Sequence, residues 1–205
     1  MLIPLNDVVK KYKIPQGLRV VHVGAHEAQE YAAYKGCGFS GVVWIEGNES
    51  IASSLMERFA DESDQLVVCA ILADQARIVS FHEASFDQSS SILPLGTHAQ
   101  AHPEVVYVGE TKKMAKTLDQ VSDTNKLHGY EFLNLDVQGA EQMVLNGAPR
   151  FLKGCNYIYS EVNAEELYVG CTLKPEFDAF LNESGFDCVE TEMTHFGWRR
   201  QLLCA

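Results

Sequence analysis

Positive charge is scarce in this sequence. Sixteen lysines and arginines stand against 28 aspartates and glutamates, a formal net charge of −12 over 205 residues. A chain so acidic repels polyanions, which argues against duplex nucleic acid as a partner. Its densest basic runs, Lys112-Lys113-Met114-Ala115-Lys116 and Arg199-Arg200, read as solvated surface. Paired cysteines are missing too. None of Cys37, Cys69, Cys155, Cys171, Cys188 and Cys204 forms a Cys-x-x-Cys pair, so no zinc knuckle or dithiol redox motif is present. The pattern suits a reducing compartment better than a disulfide framework, and Cys69, inside an apolar run, is expected in the core. No apolar run approaches the ~18 residues of a membrane span, and the N-terminus shows no signal-peptide apolar region. A soluble cytoplasmic protein with no membrane partner is the expectation. Repeats, low-complexity tracts and Pro/Gly/Ser linkers are also absent, and the length suits one domain spanning 1–205.

What is present is an alternation of apolar runs and helical periods. Residues 5–13 suggest a short helix within an N-terminal extension, 1–17, ended by Ile14-Pro15-Gln16-Gly17. Leu18–Val23, Gly41–Glu46 and Gln65–Leu72 read as buried strands with little alternation. Helices are expected between them, over about 27–35, closed by Gly36 and Gly38, and over 49–60, where Ile51, Leu55 and Phe59 recur every four residues with Asn48 as N-cap. Residues 77–116 break the rhythm and read as an insertion. It carries a half-exposed strand at 77–83, a polar loop at 85–91 with Ser89, Ser90 and Ser91, His98 and His102, and a short strand at 104–109. Thr117–Val121 leads into a strand at 131–136; a helix over 139–146, a strand at 156–162, a helix over 175–184 and a terminal pair of strands follow. This order predicts an α/β fold: a mostly parallel sheet, helices on both faces, and an antiparallel C-terminal edge hairpin.

In such a sheet ligands bind at the carboxyl ends of the strands, and three such ends carry polar groups. Gly24 follows the first strand, where a backbone without Cβ lets a ligand approach closely. A dinucleotide fingerprint would want three glycines there, and Glu27 and Glu30 would oppose pyrophosphate. A nicotinamide dehydrogenase is therefore disfavoured. S-adenosylmethionine, which carries a sulfonium and an ammonium and no phosphate, meets no such opposition. Glu46 ends the second strand, 22 residues after Gly24, where an acid accepts hydrogen bonds from ribose hydroxyls. Asp136 ends the run Phe132-Leu133-Asn134-Leu135, and Glu161 and Asn163 end the next strand. Asp136 and Glu161 can converge as a base. With an amide oxygen they also make a ligand set that magnesium accepts, but nothing fixes its geometry and no metal is assigned. Asp136 can equally cap the helix behind it. His98, His102 and His195 are further candidate bases, and the 85–110 loop is placed as a lid over the acceptor.

The chain resembles the FkbM family of S-adenosylmethionine-dependent methyltransferases. The matching pieces are His22-Val23-Gly24-Ala25-His26, Trp44-Ile45-Glu46, Thr117-Leu118-Asp119, Asp136-Val137-Gln138-Gly139-Ala140-Glu141 and Glu161-Val162-Asn163. Glu166-Leu167-Tyr168 and Gly185-Phe186 are similar to one branch of it. Many members carry lysine where this chain has Asn134, and proline where it has Gly47. The resemblance implies a Rossmann-like class I methyltransferase sheet of seven strands and S-adenosylmethionine as cofactor. It implies cofactor contacts at Gly24, Ala25, His26, Glu46, Gly47 and Asp136, with Ala70 and Ile71 flanking the adenine, and chemistry at Asp136 and Glu161. The implied activity is O-methylation of a hydroxyl on a small molecule or glycan. A methyltransferase-like binding module without turnover is the alternative.

Overall fold

A computed structural model of the chain describes residues 4–193 and 198–205. Helix α1 (Leu5–Lys11) precedes β1 (Arg19–Val23), α2 (Tyr31–Cys37), β2 (Gly41–Glu46), α3 (Glu49–Arg58) and β3 (Gln65–Cys69). The insertion supplies β4 (Ile71–Leu72), β5 (Arg77–Ala84), the single turn α4 (His98–Ala101) and β6 (Tyr107–Lys116). Then come α5 (Leu118–Asn125), β7 (Phe132–Leu135), α6 (Glu141–Asn146), β8 (Tyr157–Asn163), α7 (Lys174–Glu183), β9 (Asp187–Met193) and β10 (Trp198–Cys204). The main sheet has seven strands in the order β3-β2-β1-β7-β8-β10-β9. The first five are mutually parallel, and β10 runs antiparallel to both β8 and β9. A second, three-stranded sheet, β4-β6-β5, belongs to the insertion.

Strand side chains alternate between the two faces, and both faces are dry. Val21, Val23, Val43, Ile45, Leu133, Leu135 and Ile158 pack against α5, α6 and α7. Val20, Val42, Trp44, Phe132, Tyr159 and Leu202 pack against α1, α2 and α3. Each fully buried side chain of this size contributes roughly 1.5–3 kcal/mol, so the central strands need no polar face and show no alternation in sequence. No helix among the described residues is long and apolar enough to cross a membrane.

Several boundaries differ from the sequence reading. Helix α2 begins at Tyr31, not near 27, because His26 and Ala28 sit at φ 44° and 54° and break the helical path; Gly36 lies inside it and Gly38 alone closes it. The run 65–72 divides between two sheets, and β3 is a half-exposed edge strand, so Cys69 is exposed. Thr117–Val121 is the start of α5: Thr117 and Gln120 form a reciprocal capping box. The second insertion strand runs on to Lys116 because it pairs with the whole of β5. The 85–91 loop contains a 3₁₀ turn, Asp87–Ser89.

The sheet order reverses between β1 and β7, and there the two strand ends nearly touch. Gly24 stands at φ 82°, and a Cβ on it would lie 1.7 Å from the carbonyl oxygen of Asp136. Gly24→Ala should therefore cost on the order of 3 kcal/mol or more. Gly36→Ala, in open space on α2, should be neutral or stabilise by up to ~1 kcal/mol. Urea denaturation of both variants checks this pair, and equal midpoints would show that the two backbones can part.

Candidate active site

The crevice opened by that reversal is the cleft of interest. It holds about 600 Å³ out to its open mouth. Gly24 and His26 from the first turn, Glu46 and Gly47 after β2, Ala70 and Ile71 after β3, and Asp136 after β7 all line it. Two expected residues do not. Ala25 is buried in the α2-side core, and its N–H donates to Ile45 O at 3.1 Å. Glu161, only 5% exposed, lies behind the cleft wall.

Glu46 is 8% exposed and holds the turn together. Its Oε2 accepts from the His26 N–H at 2.8 Å and its Oε1 from the Asn48 N–H at 2.7 Å. Burial raises its pKa, and these two amides oppose the rise. Each carboxylate oxygen has a further lone pair to offer. Beside it, a Cβ on Gly47 would meet Ile71 Cγ1 at 2.8 Å, with the Phe81 ring next to it. An aliphatic and an aromatic side chain thus wall the slot between the ends of β2 and β3.

The helix starts at this edge carry a side-chain cap or an acid. Asn48 caps α3 through Ser50 N and Ile51 N. Ahead of α6, Glu141 accepts from Val137 N at 3.0 Å and Gly139 N at 3.3 Å. Glu30 stands at the start of α2. With Glu30, Glu49 and Glu141 at these starts, the termini offer little to a phosphate. The ionisable residues lining the cleft are Glu46, Asp87, Asp136 and His26. This is a lining for a cationic ligand.

The insertion covers the mouth. Asp87, Gln88, Ser90, Ser91 and Ile92 face the cleft, and His26 Nε2 lies 2.9 Å from Asp87 Oδ1. The Ser91 hydroxyl donates to Gln138 O at 2.8 Å. Of the candidate bases, His98 is buried against Tyr168 and His102, and His102 pairs with Glu104. Neither lines the cleft, and His195 lies outside the described residues. Asp119 is a structural acid: it accepts from Arg150 N and Phe151 N and pairs with the Arg150 guanidinium. Asn134 points into the core and donates to the Tyr34 hydroxyl at 2.6 Å. Among the described residues no group of three or more His, Cys, Asp or Glu is placed to hold a metal ion.

Phe81, Asp87, Ser91, Gln138 and Tyr168 were missed as site residues. Gln138 and Tyr168 both lie inside pieces that resemble the family, but neither was given a role there. Phe81, Asp87 and Ser91 come from the insertion, whose approach to the cleft is a property of the tertiary fold.

The sheet order and the solved structures it matches define the class: a Rossmann-like methyltransferase fold. The magnesium protoporphyrin IX methyltransferase of Synechocystis PCC 6803, solved with bound SAM, superposes with a TM-score of 0.54 at 12% identity over 98% of this chain and 76% of that one. A SAM-dependent methyltransferase from Aquifex aeolicus gives 0.55 at 11% identity over 100% and 91%. These likenesses show the fold alone. The family follows from sequence: the methyltransferase FkbM domain matches residues 22–188, and the chain belongs to the FkbM methyltransferase family. Among curated proteins, 2-O-methyltransferase NoeI of Sinorhizobium fredii is 27% identical over 106 residues, 48% of this chain and 44% of that protein. The match thus spans less than half of that relative's length.

Glu141 gives this region a pH signature. Its burial, with the nearby Asp136 charge, raises its pKa from 4.5 to about 7. The folded chain therefore prefers the protonated acid. The associated stability is fully present below pH 4.5 and lost as pH rises through about 7. Between pH 5 and pH 8 the wild type should lose on the order of 2 kcal/mol more than Glu141→Gln, which cannot ionise. Parallel pH slopes in urea unfolding would refute the shift.

Proposed function

We propose that the chain is an S-adenosylmethionine-dependent O-methyltransferase acting on a hydroxyl of a small molecule or glycan. The observation that carries this reading is Glu46: a buried carboxylate at the end of β2, held by two backbone amides, with lone pairs left to accept ribose hydroxyls in a cleft lined by carboxylates. Family membership supports the cofactor, and the similarity to NoeI, a 2-O-methyltransferase, supports an oxygen acceptor. When bound, S-adenosylmethionine supplies an electrophilic methyl group on a sulfonium.

The chain's own residues do the rest. Glu46 holds the ribose, and Gly47, Ile71 and Phe81 wall the slot assigned to the adenine. The absence of a side chain at Gly24 lets the methionine portion approach the backbone. Asp136 faces the cleft, and its carboxylate would take the proton that the acceptor hydroxyl loses when the methyl group passes from the cofactor's sulfur to that oxygen. The insertion residues Asp87 to Ile92 limit water entry, so alignment rather than covalent chemistry carries the rate. Acceptors are to be found by screening hydroxylated metabolites and sugars for methyl uptake.

Glu46→Ala should weaken S-adenosylmethionine binding at least about tenfold, from ~1.4 kcal/mol or more for a lost pair of charge-assisted hydrogen bonds. Calorimetric titration measures it. The wild type should also prefer S-adenosylmethionine to its 2′-deoxy analogue, and the variant should not. An unchanged affinity would refute the ribose assignment, and heat with NAD but none with S-adenosylmethionine would refute the cofactor.

A further inference from the structure

The turn after β7 holds a glutamine where glycine would sit more easily. Gln138 has φ 53°, a left-handed conformation that residues with a Cβ adopt at a cost. Its side chain is buried and tied to three partners. Nε2 donates to Asp136 Oδ1 at 2.7 Å and to Glu161 Oε2 at 2.9 Å. Oε1 accepts from the Tyr168 hydroxyl at 2.7 Å. With Ser91 on its backbone carbonyl, Gln138 joins the ends of β7 and β8, the segment after β8, and the insertion.

The chemistry of the partners sets the direction of the amide. An ionised carboxylate only accepts, and an amide nitrogen has two hydrogens to give. Burial pushes the Tyr168 phenol well above its ordinary pKa, so it stays protonated and donates. The amide oxygen must face Tyr168 and the nitrogen must face the acids. A glutamate here would put a third carboxylate beside Asp136 and Glu161 and remove the N–H groups that Gln138 gives them. A glycine would relieve the backbone and leave Asp136 and Glu161 without this shared donor.

We propose that Gln138 is a positioning residue of the active site: its side-chain amide is shared between Asp136 and Glu161, so that Asp136 is presented to the cleft without carrying a proton. This rests on the reading of Asp136 as proton acceptor. The titratable groups around the amide are Asp136 just after β7, Glu161 on β8, Glu141 on α6, Tyr168 with His98 behind it, Tyr107 on β6, and Asp87 at the mouth. Arg200 of β10 stands opposite Glu161 in register.

The test compares the wild type with Gln138→Glu in the full chain. The variant regains a donor only when its new carboxyl is protonated. Its deficit in Tm relative to wild type should be large at pH 8 and shrink by at least half at pH 5. A deficit equal at both pH values overturns the proposal, because lost packing alone does not titrate. With a hydroxyl acceptor that the wild type methylates, the ionisation governing kcat/KM should move up by about one pH unit or more in the variant, a shift that a purely structural role would not produce. An unmoved profile overturns the positioning role. Should the variant fail to fold, the wild type still decides. Its Gln138 side-chain NH₂ protons should be strongly protected from exchange with solvent, and exchange as fast as that of an exposed glutamine overturns the proposal. Titration of the wild type with S-adenosylmethionine in the same buffers keeps the two readings apart: absent binding sinks the cofactor assignment and leaves the amide result standing.

Discussion

The close approach of two backbones, β1 at Gly24 and β7 at Asp136, is the constraint from which the rest of the site follows. The sheet reverses its winding between these strands, and an α/β sheet opens a crevice at such a reversal. The Asp136 N–H donates to Val23 O at 3.0 Å, which continues the ladder to the lip of the cleft. Only a residue without Cβ can occupy position 24 once that bond forms. Both chains must then turn sharply away, which accounts for the run of left-handed residues at Gly24, His26 and Ala28 on one side and Gln138 and Gly139 on the other. Gly139 is tight for the same reason: a Cβ there would meet Tyr168 and Cys171 at 3.0 Å.

Carboxylates dominate the site, and each has a defined set of donors. Glu46 takes the amides of His26 and Asn48; Glu141 takes those of Val137 and Gly139; Asp136 and Glu161 share the Gln138 amide. Buried acids survive only with such partners. The division of labour is visible in what each acid faces. Glu141 and Glu161 face the protein, whereas Glu46 and Asp136 face the cleft. Acids at the helix starts and on the cleft wall suit a cation better than a pyrophosphate. In this respect the surface charge and the site chemistry agree with the family to which the chain belongs.

Much of this was legible in the residues. The buried strands β1, β2, β7 and β8 stand within a residue or two of their apolar runs, because a strand covered on both faces has no polar alternation to blur its ends. Glu46 and Asp136 were found from their place at strand ends, and Asn48 from its cap chemistry. What escaped was set by tertiary contact. The start of α2 was misplaced because Glu27–Glu30 has helical composition but follows left-handed His26 and contains left-handed Ala28. The α5 helix was missed although Thr117-x-x-Gln120 signals a capping box. The run 65–72 gave no sign that it serves two sheets, and Cys69 consequently lies on an exposed edge. Glu161 lies two residues inside β8, which runs on to Asn163, and Gln138 stands between it and the cleft. Tyr168, 30 residues from Gln138 in sequence, touches it only because the segment after β8 folds back over the strand ends.

The central claim is that the crevice between β1 and β7 is the cofactor site. Backbone amide spectra of the isotopically labelled chain, recorded while S-adenosylmethionine is added, test it most directly. Gly24, His26, Asn48 and Val137 should shift first and furthest, while residues of β9 stay still. Shifts confined to other surfaces, or none at saturating cofactor, would contradict it.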